Sequence, residues 1–327
     1  MSTALVTGGC GFLGRHLVSA LHARGDRVSI LDLAPPEGLP GDVAFARGSI
    51  LDPAALGKAM AQIDFVYHLA GIAKLWVRHK SEFDWVNVRG TDTVLRVASE
   101  HGVKRIVHCS TEAILLPKDR ARNAQIDESV LPPYRDMPGP YTRSKHRAEQ
   151  LVLAAVQQGQ DIVVVNPTVP VGADDRNLTP PAAMLSMFLA GSSPAFLDCM
   201  LNLVDVRDVA AGMILAAERG RAGERYILGG ENVSLRDLLG RLEAISARPM
   251  PKRAIPAPVA VAAAAMSEWI ADYVTKRVPA ATREGVQLAL RSAPFDSSKA
   301  RRDLGYASRP AQEALEAAVR WLRSVPR

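Results

Sequence analysis

Cysteine is scarce in this sequence, which has Cys10, Cys109 and Cys199 in 327 residues. They form no C-x-x-C motif and no paired framework, so a disulfide scaffold is excluded as the basis of the fold. Groups of histidine, cysteine and carboxylate residues with metal-ligand spacing are also missing, and we expect no metal site. The apolar letters near the start run directly into glycines instead of forming a signal peptide. These absences favour a reducing, cytoplasmic location.

Aromatic residues are few, at 5%, and they do not interleave with the basic clusters, although the net charge is +6. We therefore expect no nucleic-acid partner and assign the basic residues to a solvated surface or to the attraction of anionic small molecules. Internal repeats and low-complexity linkers are absent as well. A chain of this length with 48% hydrophobic residues can bury a large core, as one big domain or two smaller ones.

The sequence also lacks an uninterrupted apolar run of about 20 residues, which a membrane-spanning helix needs. The alanine-rich residues 255–274, "IPAPVAVAAAAMSEWIADYV", begin with prolines and contain Glu268 and Asp272 near their end. We expect a buried or groove-lining helix here. A weak peripheral membrane contact is the alternative that stays open.

The first 166 residues do contain a regular alternation of strand-like and helix-like patterns. The strand-like segments are "TALVTGG", "RVSILDL", "DVAFARGSIL", "DFVYHLAG", "KRIVHCS" and "DIVVVN". Continuous apolar runs of this kind are typical of parallel strands that are buried on both faces. Six strands with interleaved helices predict an α/β fold, a doubly wound parallel sheet of the Rossmann type.

The stretch "TGGCGFLG" places Gly8, Gly11 and Gly14 between the first strand and the first helix. Glycines at this spacing let the backbone turn tightly and approach a pyrophosphate, and the helix N-terminus offers free N–H groups to its charge. Asp32 ends the second strand, where a carboxylate would accept from the hydroxyls of an adenosine ribose. Such a carboxylate repels a 2′-phosphate, and no arginine follows within the next several residues. We therefore favour NAD over NADP.

After Pro167 the pattern becomes loop-like and then mainly helical. We expect residues 1–166 to form an NAD-binding Rossmann domain, to which residues 203–229 return. Residues 167–202 and 230–327 would form a smaller, mixed and mainly helical substrate-binding lobe.

Two further positions lie near the expected cofactor cleft. Asp52 is interpreted as an adenine contact, although its position is also that of a good helix N-cap. His68 ends the fourth strand and is expected to be packed and not catalytic, while the small Ala70 and Gly71 after it would leave room for a dinucleotide.

Tyr141 and Lys145 are four residues apart in "GPYTRSKHRAE" and would lie on one face of a helix. An ammonium beside a phenol favours the phenolate and lowers its pKa, which could make an acid–base pair. The spacing alone is a weak signal, because two residues on an ordinary helix give the same pattern.

Taken together, the motifs resemble the extended short-chain dehydrogenase/reductase family, the NAD-dependent epimerase/dehydratase family. They are "TGGCGFLG", "HLAG", "NVRGT" (87–91), "CST" (109–111), "PYTRSK" (140–145) and "FDSSKARRDLGY" (295–306). Their order and spacing match the family over nearly the whole chain, which is far more specific than any single motif. Within the family, "DMPGPYTRSK", "LNLVDVRDVAAG" and "ERYILGGEN" make the chain similar to hopanoid-associated sugar-epimerase-like, dihydroflavonol-reductase-like and 3β-hydroxysteroid-dehydrogenase-like members.

The resemblance implies three catalytic residues. Tyr141 would be the general acid/base for the substrate oxygen while hydride passes to or from the nicotinamide. Lys145 would bind the nicotinamide ribose and lower the pKa of the tyrosine, and Thr111 would hydrogen-bond the substrate oxygen. Bringing a tyrosine from a pKa near 10 to about 7 needs roughly 4 kcal/mol of bias toward phenolate. The residues expected to bind the cofactor are Gly8, Gly11, Phe12, Leu13, Gly14, Asp32, Asp52, Leu69, Ala70, Gly71, Asn87, Tyr141, Lys145 and Pro167.

The substrate class is inferred from departures from the family pattern. Leu201 stands where nucleotide-sugar enzymes usually have a diphosphate-binding arginine, and Asn166 and Val171 stand where many relatives have arginine and tyrosine. The missing phosphate clamp argues for a lipophilic alcohol or ketone. The apolar residues around Met184 would line its site, with ordinary core packing as the open alternative. The expected substrate-binding residues are Glu112, Asn166, Met184 and Asn202.

We therefore expect an NAD(P)-dependent oxidoreductase that interconverts a secondary alcohol and a ketone on an apolar small molecule of steroid, terpenoid or flavonol type. A nucleotide-sugar epimerase with tightly held NAD is the alternative. A dehydratase is a weaker one, because Ala113 breaks the pair of acids that Glu112 would begin. A non-catalytic dinucleotide-sensing protein is the alternative of another class, although such proteins typically lose the tyrosine or the lysine. A homodimer through the helices near residues 87–101 and 141–158 is also expected.

Overall fold

The structure, a computed structural model, describes residues 2–119 and 125–324. The strands are β1 (Thr3–Thr7), β2 (Arg27–Asp32), β3 (Ala44–Arg47), β4 (Phe65–His68), β5 (Arg105–Cys109), β6 (Ile162–Pro167), β7 (Val169–Val171), β8 (Ala195–Phe196), β9 (Met200–Asp205), β10 (Arg225–Leu228), β11 (Glu231–Ser234) and β12 (Arg253–Ala254). The helices are α1 (Phe12–Ala23), α2 (Pro53–Met60), α3 (Ser81–Phe83), α4 (Gly90–Glu100), α5 (Pro140–Gln157), α6 (Pro180–Leu189), α7 (Val206–Arg219), α8 (Leu235–Ser246), α9 (Ala257–Ile270), α10 (Arg283–Arg291), α11 (Ser298–Leu304) and α12 (Ala311–Ser324). There are also π-helical turns at Asp84–Arg89 and Ala271–Thr275 and 3-10 turns at Glu112–Leu115 and Tyr134–Asp136.

Seven strands form one parallel sheet in the order β3-β2-β1-β4-β5-β6-β10. This confirms the predicted α/β fold with a doubly wound parallel sheet. The sequence pattern predicts the first six strands, and the seventh, β10, comes from the segment that was expected to return to the sheet. Strand β6, which lies between β5 and the edge strand β10, is buried along its whole length, as its unbroken apolar sequence indicates.

Helices cover both faces of the sheet. On one face, α1, α7 and α11 pack around Leu17 and Met213. On the other, α2, α4 and α5 pack around Val94 and Val152. The two apolar layers fix the position of α5, which carries the tyrosine–lysine pair.

The strand order reverses at β1, because β2 and β3 lie on one side of it and β4, β5 and β6 on the other. In open α/β sheets, ligands bind at such a switch point, outside the carboxyl ends of the strands. The glycine loop follows β1, residues 69–71 follow β4, and Thr111 comes shortly after β5. These predicted site segments therefore share one edge of the sheet.

A smaller lobe contains a three-stranded sheet, in the order β11-β9-β7, and a two-stranded sheet of β8 and β12. Leu185, Leu239 and Leu315 bring α6, α8 and α12 into its apolar core. The lobe is mixed, as expected, and it contains more strand than the sequence indicates. The reason is that β8 and β12 have two residues each, which is too short for an alternating pattern to be visible.

The proline-containing link between Glu112 and Pro140 is fixed to the C-terminal part of the chain. Its residues 120–124 lie outside the described residues. Ile126 forms an isolated bridge with Phe295, the first residue of the C-terminal family motif. This bridge places the motif beside the link that leads to α5.

Residues 255–274 form α9 and the π-helical turn after it. Pro256 caps α9 and Pro258 lies in its first turn, where a missing N–H is tolerated. Only Ala260 and Ala264 of α9 are buried, so the expectation of a buried helix is wrong for most of its surface. Within the described ranges, no helix is both long enough and apolar enough to cross a bilayer.

Candidate active site

The glycine loop between β1 and α1 leaves no room for side chains. Gly8 has a φ of +74°, and a Cβ there would lie 2.7 Å from the backbone nitrogen of Ala70. A Cβ on Gly14 would collide with the carbonyl oxygen of Gly8. The loop is thus packed by backbone contact against the segment after β4, which only glycine permits.

The N-terminus of α1 offers free backbone donors. The helix begins at Phe12 after Gly11, and no described side chain caps it. Phe12 is buried and Leu13 is half-buried beneath the loop. Unpaired N–H groups and the positive end of the helix dipole suit an anionic ligand. The glycine cradle therefore fits the pyrophosphate of a dinucleotide.

Asp32 lies beside this loop at the end of β2. Its carboxylate accepts from the backbone N–H of Cys10 at 2.9 Å and from that of Ala34 at 3.1 Å. Arg47 of β3 is its register partner in the sheet. The Arg47 side chain is exposed and has no ion pair with any residue that the structure describes. Sequence reasoning missed this arginine, because strand pairing and not chain proximity brings it to Asp32.

Asp52 is the N-cap of α2. Its carboxylate accepts from the backbone N–H groups of Ala54 at 2.9 Å and Ala55 at 3.3 Å. The capping role that the sequence left open is therefore confirmed. Contact between Asp52 and adenine stays a prediction.

His68 and His108 are neighbours on β4 and β5, with ring centroids 5.4 Å apart. The His68 ring pairs with the hydroxyls of Thr7 at 2.8 Å and Thr91 at 2.9 Å, so it is packed, as predicted. The His108 ring nitrogens have no hydrogen-bond partner among the described residues. Burial lowers the pKa of His68 to about 3, and burial together with the Lys145 charge lowers the pKa of His108 well below its usual range.

Asn87 joins the segment after β4 to α5. Its side-chain oxygen accepts from the Ile72 N–H at 2.7 Å, and its amide nitrogen donates to the Ser144 hydroxyl at 2.9 Å. Gly71 must be small, because a Cβ there would lie 3.0 Å from the Asn87 oxygen. Asn87 lies in the π-helical turn before α4, and such turns are frequent at functional sites. A direct contact of Asn87 with the cofactor stays a prediction.

Tyr141 and Lys145 lie in the first two turns of α5, on the side that faces the end of β5. The Lys145 ammonium donates to the carbonyl oxygen of Cys109, the last residue of β5, at 2.7 Å. The Thr111 side chain lies close enough to the Tyr141 phenol to lower its pKa. The structure therefore brings together the three residues that the family resemblance predicts to be catalytic.

The protein's own groups raise the pKa of Tyr141. Burial is the main cause, the nearby Thr111 side chain opposes it, and the charges of Glu112, Cys109 and Glu284 add to the rise. Burial also lowers the pKa of Lys145. The protein alone thus raises the Tyr141 pKa, because the phenol is desolvated, and the lowering expected from Lys145 together with the charge of the oxidised cofactor stays a prediction.

Glu112 adds a second titrating group to the site. It is half-buried, and its carboxylate accepts from the Thr111 hydroxyl at 2.9 Å. Burial raises the pKa of Glu112 to about 8 in spite of this bond. The carboxyl group is therefore mainly protonated at neutral pH, and it can donate a hydrogen bond close to Tyr141.

Glu284 of α10 holds the N-terminus of the tyrosine helix, and sequence reasoning missed it. Its carboxylate accepts from the backbone N–H of Tyr141 at 3.1 Å and from that of Thr142 at 2.7 Å. It also accepts from the Thr142 hydroxyl at 2.7 Å. A Cβ on Gly139 would collide with this carboxylate, which explains the glycine before α5. A glutamate so far along the chain gives no local signal of this role.

Asn166 and Asn202 lie behind the site, with exposed fractions of 0% and 2%. Asn166 donates to the Thr111 carbonyl oxygen at 3.0 Å. Asn202 accepts from the Thr168 hydroxyl at 2.8 Å and from the Gly230 N–H at 2.7 Å. The geometry of Asn166 fits a residue that supports the Thr111 segment better than one that contacts the substrate. The geometry of Asn202 fits a residue that supports the turn before β11 better than a substrate contact.

Three other predicted positions have simple surroundings. Pro167 ends β6 and is buried. Met184 and Leu201 are half-buried against the apolar core of the small lobe. For Met184 this agrees with ordinary core packing, the alternative to a substrate contact. Their contacts with a ligand stay predictions.

A glycine loop at the switch point of a parallel sheet, with a tyrosine–lysine pair on the neighbouring helix, defines an enzyme of the short-chain dehydrogenase/reductase type. The model of the NAD dependent epimerase/dehydratase family matches residues 4–229, which contain all of these features. The chain belongs to this family. The predicted family, enzyme class and NAD cofactor are confirmed at the family level.

Similar proteins cover both the sheet and the small lobe. The chain is 36% identical over 329 residues to the putative dihydroflavonol 4-reductase of Synechocystis sp., covering 98% of this chain and 94% of that protein. It is 31% identical over 328 residues to sterol demethylase protein B of Methylococcus capsulatus, covering 98% of each. It is 38% identical over 322 residues to the 4-hydroxy-2-methyl-3-oxo-4-farnesyl-3,4-dihydroquinoline-1-oxide ketoreductase of Stigmatella aurantiaca, covering 95% of this chain and 94% of that protein.

Solved structures share the architecture. The crystal structure of gox2253 has a TM-score of 0.84 and 35% identity, covering 99% of this chain and 98% of that one. The UDP-glucose 4-epimerase of Thermus thermophilus, in complex with NAD, has a TM-score of 0.79 and 22% identity, covering 99% of this chain and 100% of that one. At 22% identity, the similarity to the epimerase shows a shared fold and nothing about activity.

Proposed function

We propose that this protein is an NAD(P)-dependent oxidoreductase that interconverts a secondary alcohol and a ketone on an apolar small molecule. The observation that carries the proposal is the meeting of Thr111, Tyr141 and Lys145 at the sheet edge that also presents the glycine loop. A dinucleotide bound there supplies the two-electron redox chemistry at the substrate carbon. The glycine loop would hold its pyrophosphate, Asp32 its adenosine ribose and Lys145 its nicotinamide ribose.

Tyr141 moves the proton. In the direction of reduction the phenol donates its proton to the substrate oxygen, and in the direction of oxidation the phenolate takes that proton back. The Thr111 hydroxyl holds the same oxygen by a hydrogen bond. The chain's own groups raise the pKa of Tyr141, so the phenol keeps its proton at neutral pH and has it available for the reduction of a ketone.

The names of two relatives support an apolar substrate. The Stigmatella aurantiaca protein is named as a ketoreductase of a farnesyl-bearing compound, and the Methylococcus capsulatus protein is named for a sterol. In this chain, Leu201 lies against an apolar core at the position where an arginine would bind a diphosphate. Steroid-, terpenoid- or flavonol-like ketones are the substrate classes that we propose.

Two alternatives have specific support and specific weaknesses. A nucleotide-sugar epimerase or dehydratase is suggested by Glu112 beside Thr111, but the diphosphate-binding arginine is missing. A non-catalytic dinucleotide sensor would not need the tyrosine and the lysine to lie together. We rank both below the ketoreductase.

NAD is the proposed cofactor, with NADP as the less favoured one. Asp32 supports NAD, because its charge would repel a 2′-phosphate, whereas the neighbouring Arg47 offers that phosphate a counter-charge. We further propose a cytoplasmic homodimer through α4 and α5, without a nucleic-acid partner. The three cysteines are free thiols, in keeping with a reducing compartment.

The test is NADH and NADPH turnover by the purified protein, with hydrophobic keto and hydroxy compounds beside UDP- and dTDP-sugars. Tyr141→Phe should lower turnover about 10²- to 10⁴-fold, because it removes the proton donor. Tyr134→Phe is the matched control and should be fully active. NADH binding should be unchanged in Tyr134→Phe and retained in Tyr141→Phe, so that the loss of turnover reports on the proton donor.

The alternatives give different results in the same experiment. Conversion of a sugar nucleotide without net change in NADH would show an epimerase. Dinucleotide binding without turnover of any compound, and with no effect of Tyr141→Phe in the cell, would show a sensor.

A further inference from the structure

Eight of the fifteen large apolar side chains that the described chain exposes lie between Val259 and Val278, on α9 and the residues that follow it. We call six of them the α9 face: Val259, Met266, Trp269, Ile270, Tyr273 and Val274. The rings of Trp269 and Tyr273 are exposed by 51% and 71%, and their centroids are 5.8 Å apart. An exposed apolar patch of this kind marks an interaction surface.

The acidic residues of this segment point away from the α9 face. The Glu268 carboxylate accepts from the backbone N–H of Arg283 at 2.9 Å, and that of Asp272 accepts from the Trp76 indole N–H at 2.8 Å. Both acids thus hold α9 to its protein neighbours. The side that faces away from α10 carries apolar and aromatic groups without a negative charge.

Basic residues border the α9 face. Lys276 and Arg277 follow it directly and are exposed. Lys74 and Arg78 are also exposed, on the segment that Trp76 attaches to Asp272, which points away from the α9 face. Arg277, Lys74 and Arg78 form no ion pair within the described part of the chain. The surface therefore combines an apolar strip with unpaired positive charge.

This combination fits the surface of a lipid bilayer with anionic headgroups. Apolar and aromatic side chains enter the boundary between headgroups and acyl chains, while lysine and arginine stay at the charged surface. We propose that the α9 face docks this protein onto an anionic phospholipid bilayer, with α9 lying in the interface. A second copy of the chain fits less well, because a two-fold contact through this face would set its basic border against itself.

Docking by this face would bring the active site close to the lipid, an inference that rests on the proposed function. α10 packs beside α9 and provides Glu284, which binds the N-terminus of the tyrosine helix. The segment around Trp76 continues from the residues after β4 that line the site. A bilayer at the α9 face would therefore be separated from α10 by α9 alone, so that an apolar ketone would have a short path from the lipid to the cleft.

The experiment is flotation of the purified full chain with two kinds of vesicle, phosphatidylcholine alone and phosphatidylcholine with phosphatidylglycerol. We expect binding to the anionic vesicles and at least tenfold weaker binding to the neutral ones, since about 1 kcal/mol per basic residue comes from the surface charge. The measurement needs no turnover. A catalytically inactive protein that floats would refute the proposed function alone, and an active one that does not float would refute docking alone.

Matched variants locate the contact. Trp269→Gln and Met266→Gln should each weaken flotation several-fold, whereas Trp85→Gln and Leu131→Gln should not. Their controls are well matched, because Met266 and Leu131 are both 60% exposed, and Trp269 and Trp85 are 51% and 49% exposed.

A charge variant tests the basic border. Arg277→Glu should weaken binding to anionic vesicles about tenfold or more, and Arg221→Glu, at a distant exposed arginine, should leave it unchanged. Equal binding to both vesicles, equal loss in all variants, or no flotation at all would overturn the proposal. So would a dimer that Trp269→Gln converts to a monomer without any vesicle binding, because the face would then belong to a second copy.

Discussion

The glycine loop and the tyrosine helix meet at one site but are held there in different ways. The loop is fixed by contacts between backbone atoms, with Gly8 against Ala70 and Gly14 against Gly8. The tyrosine helix is fixed by side chains from distant parts of the chain, of which Asn87 and Glu284 make the key hydrogen bonds.

This difference decides what damages each region. A loop that depends on close backbone approach is damaged when an atom is added. A helix that depends on buried hydrogen bonds is damaged when an acceptor is removed, because its donors are then buried without partners. The four predictions below test this comparison.

The largest effect is expected from Gly14→Ala, which adds a methyl group against the Gly8 carbonyl oxygen. Overpacking costs typically 1–3 kcal/mol, so NADH binding should weaken by up to about 100-fold. Titration of NADH by fluorescence measures this. Gly240→Ala in α8 is the control, because a Cβ there meets nothing within 4 Å. Equal NADH affinity in the two variants would show that the loop does not bind the cofactor.

The second effect is expected from Glu284→Gln, which leaves one acceptor oxygen for donors on Tyr141 and Thr142. An unsatisfied buried donor costs about 1–3 kcal/mol, and we expect kcat to fall about tenfold or more while the Kd of NADH stays constant. Glu268→Gln, on the neighbouring helix α9, is the control and should leave kcat unchanged. A parallel loss in NADH affinity would mean that Glu284 supports the fold generally and not Tyr141 in particular.

The third effect is a pH dependence from Glu112, whose folded pKa of about 8 lies above its usual 4.5. The folded protein accommodates Glu112 in its protonated form. The contribution of this residue to the free energy of unfolding is therefore fully present below pH 4.5 and is lost as the pH rises through about 8. Thermal unfolding should therefore show a lower midpoint at pH 9 than at pH 6. Glu112→Gln cannot ionise, and it should remove most of this difference. If the variant keeps the same pH dependence, the group responsible lies elsewhere.

The smallest effect on cofactor binding is expected at Asp32 and Arg47, which the pairing of β2 with β3 brings together. Arg47→Ala should weaken NADPH binding about two- to fivefold, as exposed ion pairs contribute 0.2–1 kcal/mol, and should leave NADH unaffected. Asp32→Asn should shift the preference toward NADPH, because it keeps an acceptor for Cys10 but removes the repelling charge. An identical NADPH affinity in Arg47→Ala would exclude a contact with the 2′-phosphate.

The same comparison explains how far the sequence could predict this molecule. The glycine loop, Asp32 and the strands of residues 1–166 could be read from local patterns, because each depends on neighbours in the chain. Thr111, Tyr141 and Lys145 could be placed in one site by their order in the family. Glu284 and Arg47 could not, since each reaches the site through tertiary or sheet contacts between distant segments. The burial that raises the pKa of Tyr141 in the protein alone could not be predicted either, because it depends on tertiary packing.

The buried pair His68 and His108 makes the stability of the fold depend on pH on the acid side. Both rings are buried and held neutral, and the folded pKa of His68 is about 3. The unfolded chain binds protons at both rings below pH 6.5, whereas the folded chain does not, so acid favours unfolding. Each ring costs roughly 1.4 kcal/mol of stability for every pH unit below 6.5, until its folded pKa is reached. Acidification below pH 6.5 is therefore expected to lower the stability of the fold at β4 and β5, the two strands that carry these rings.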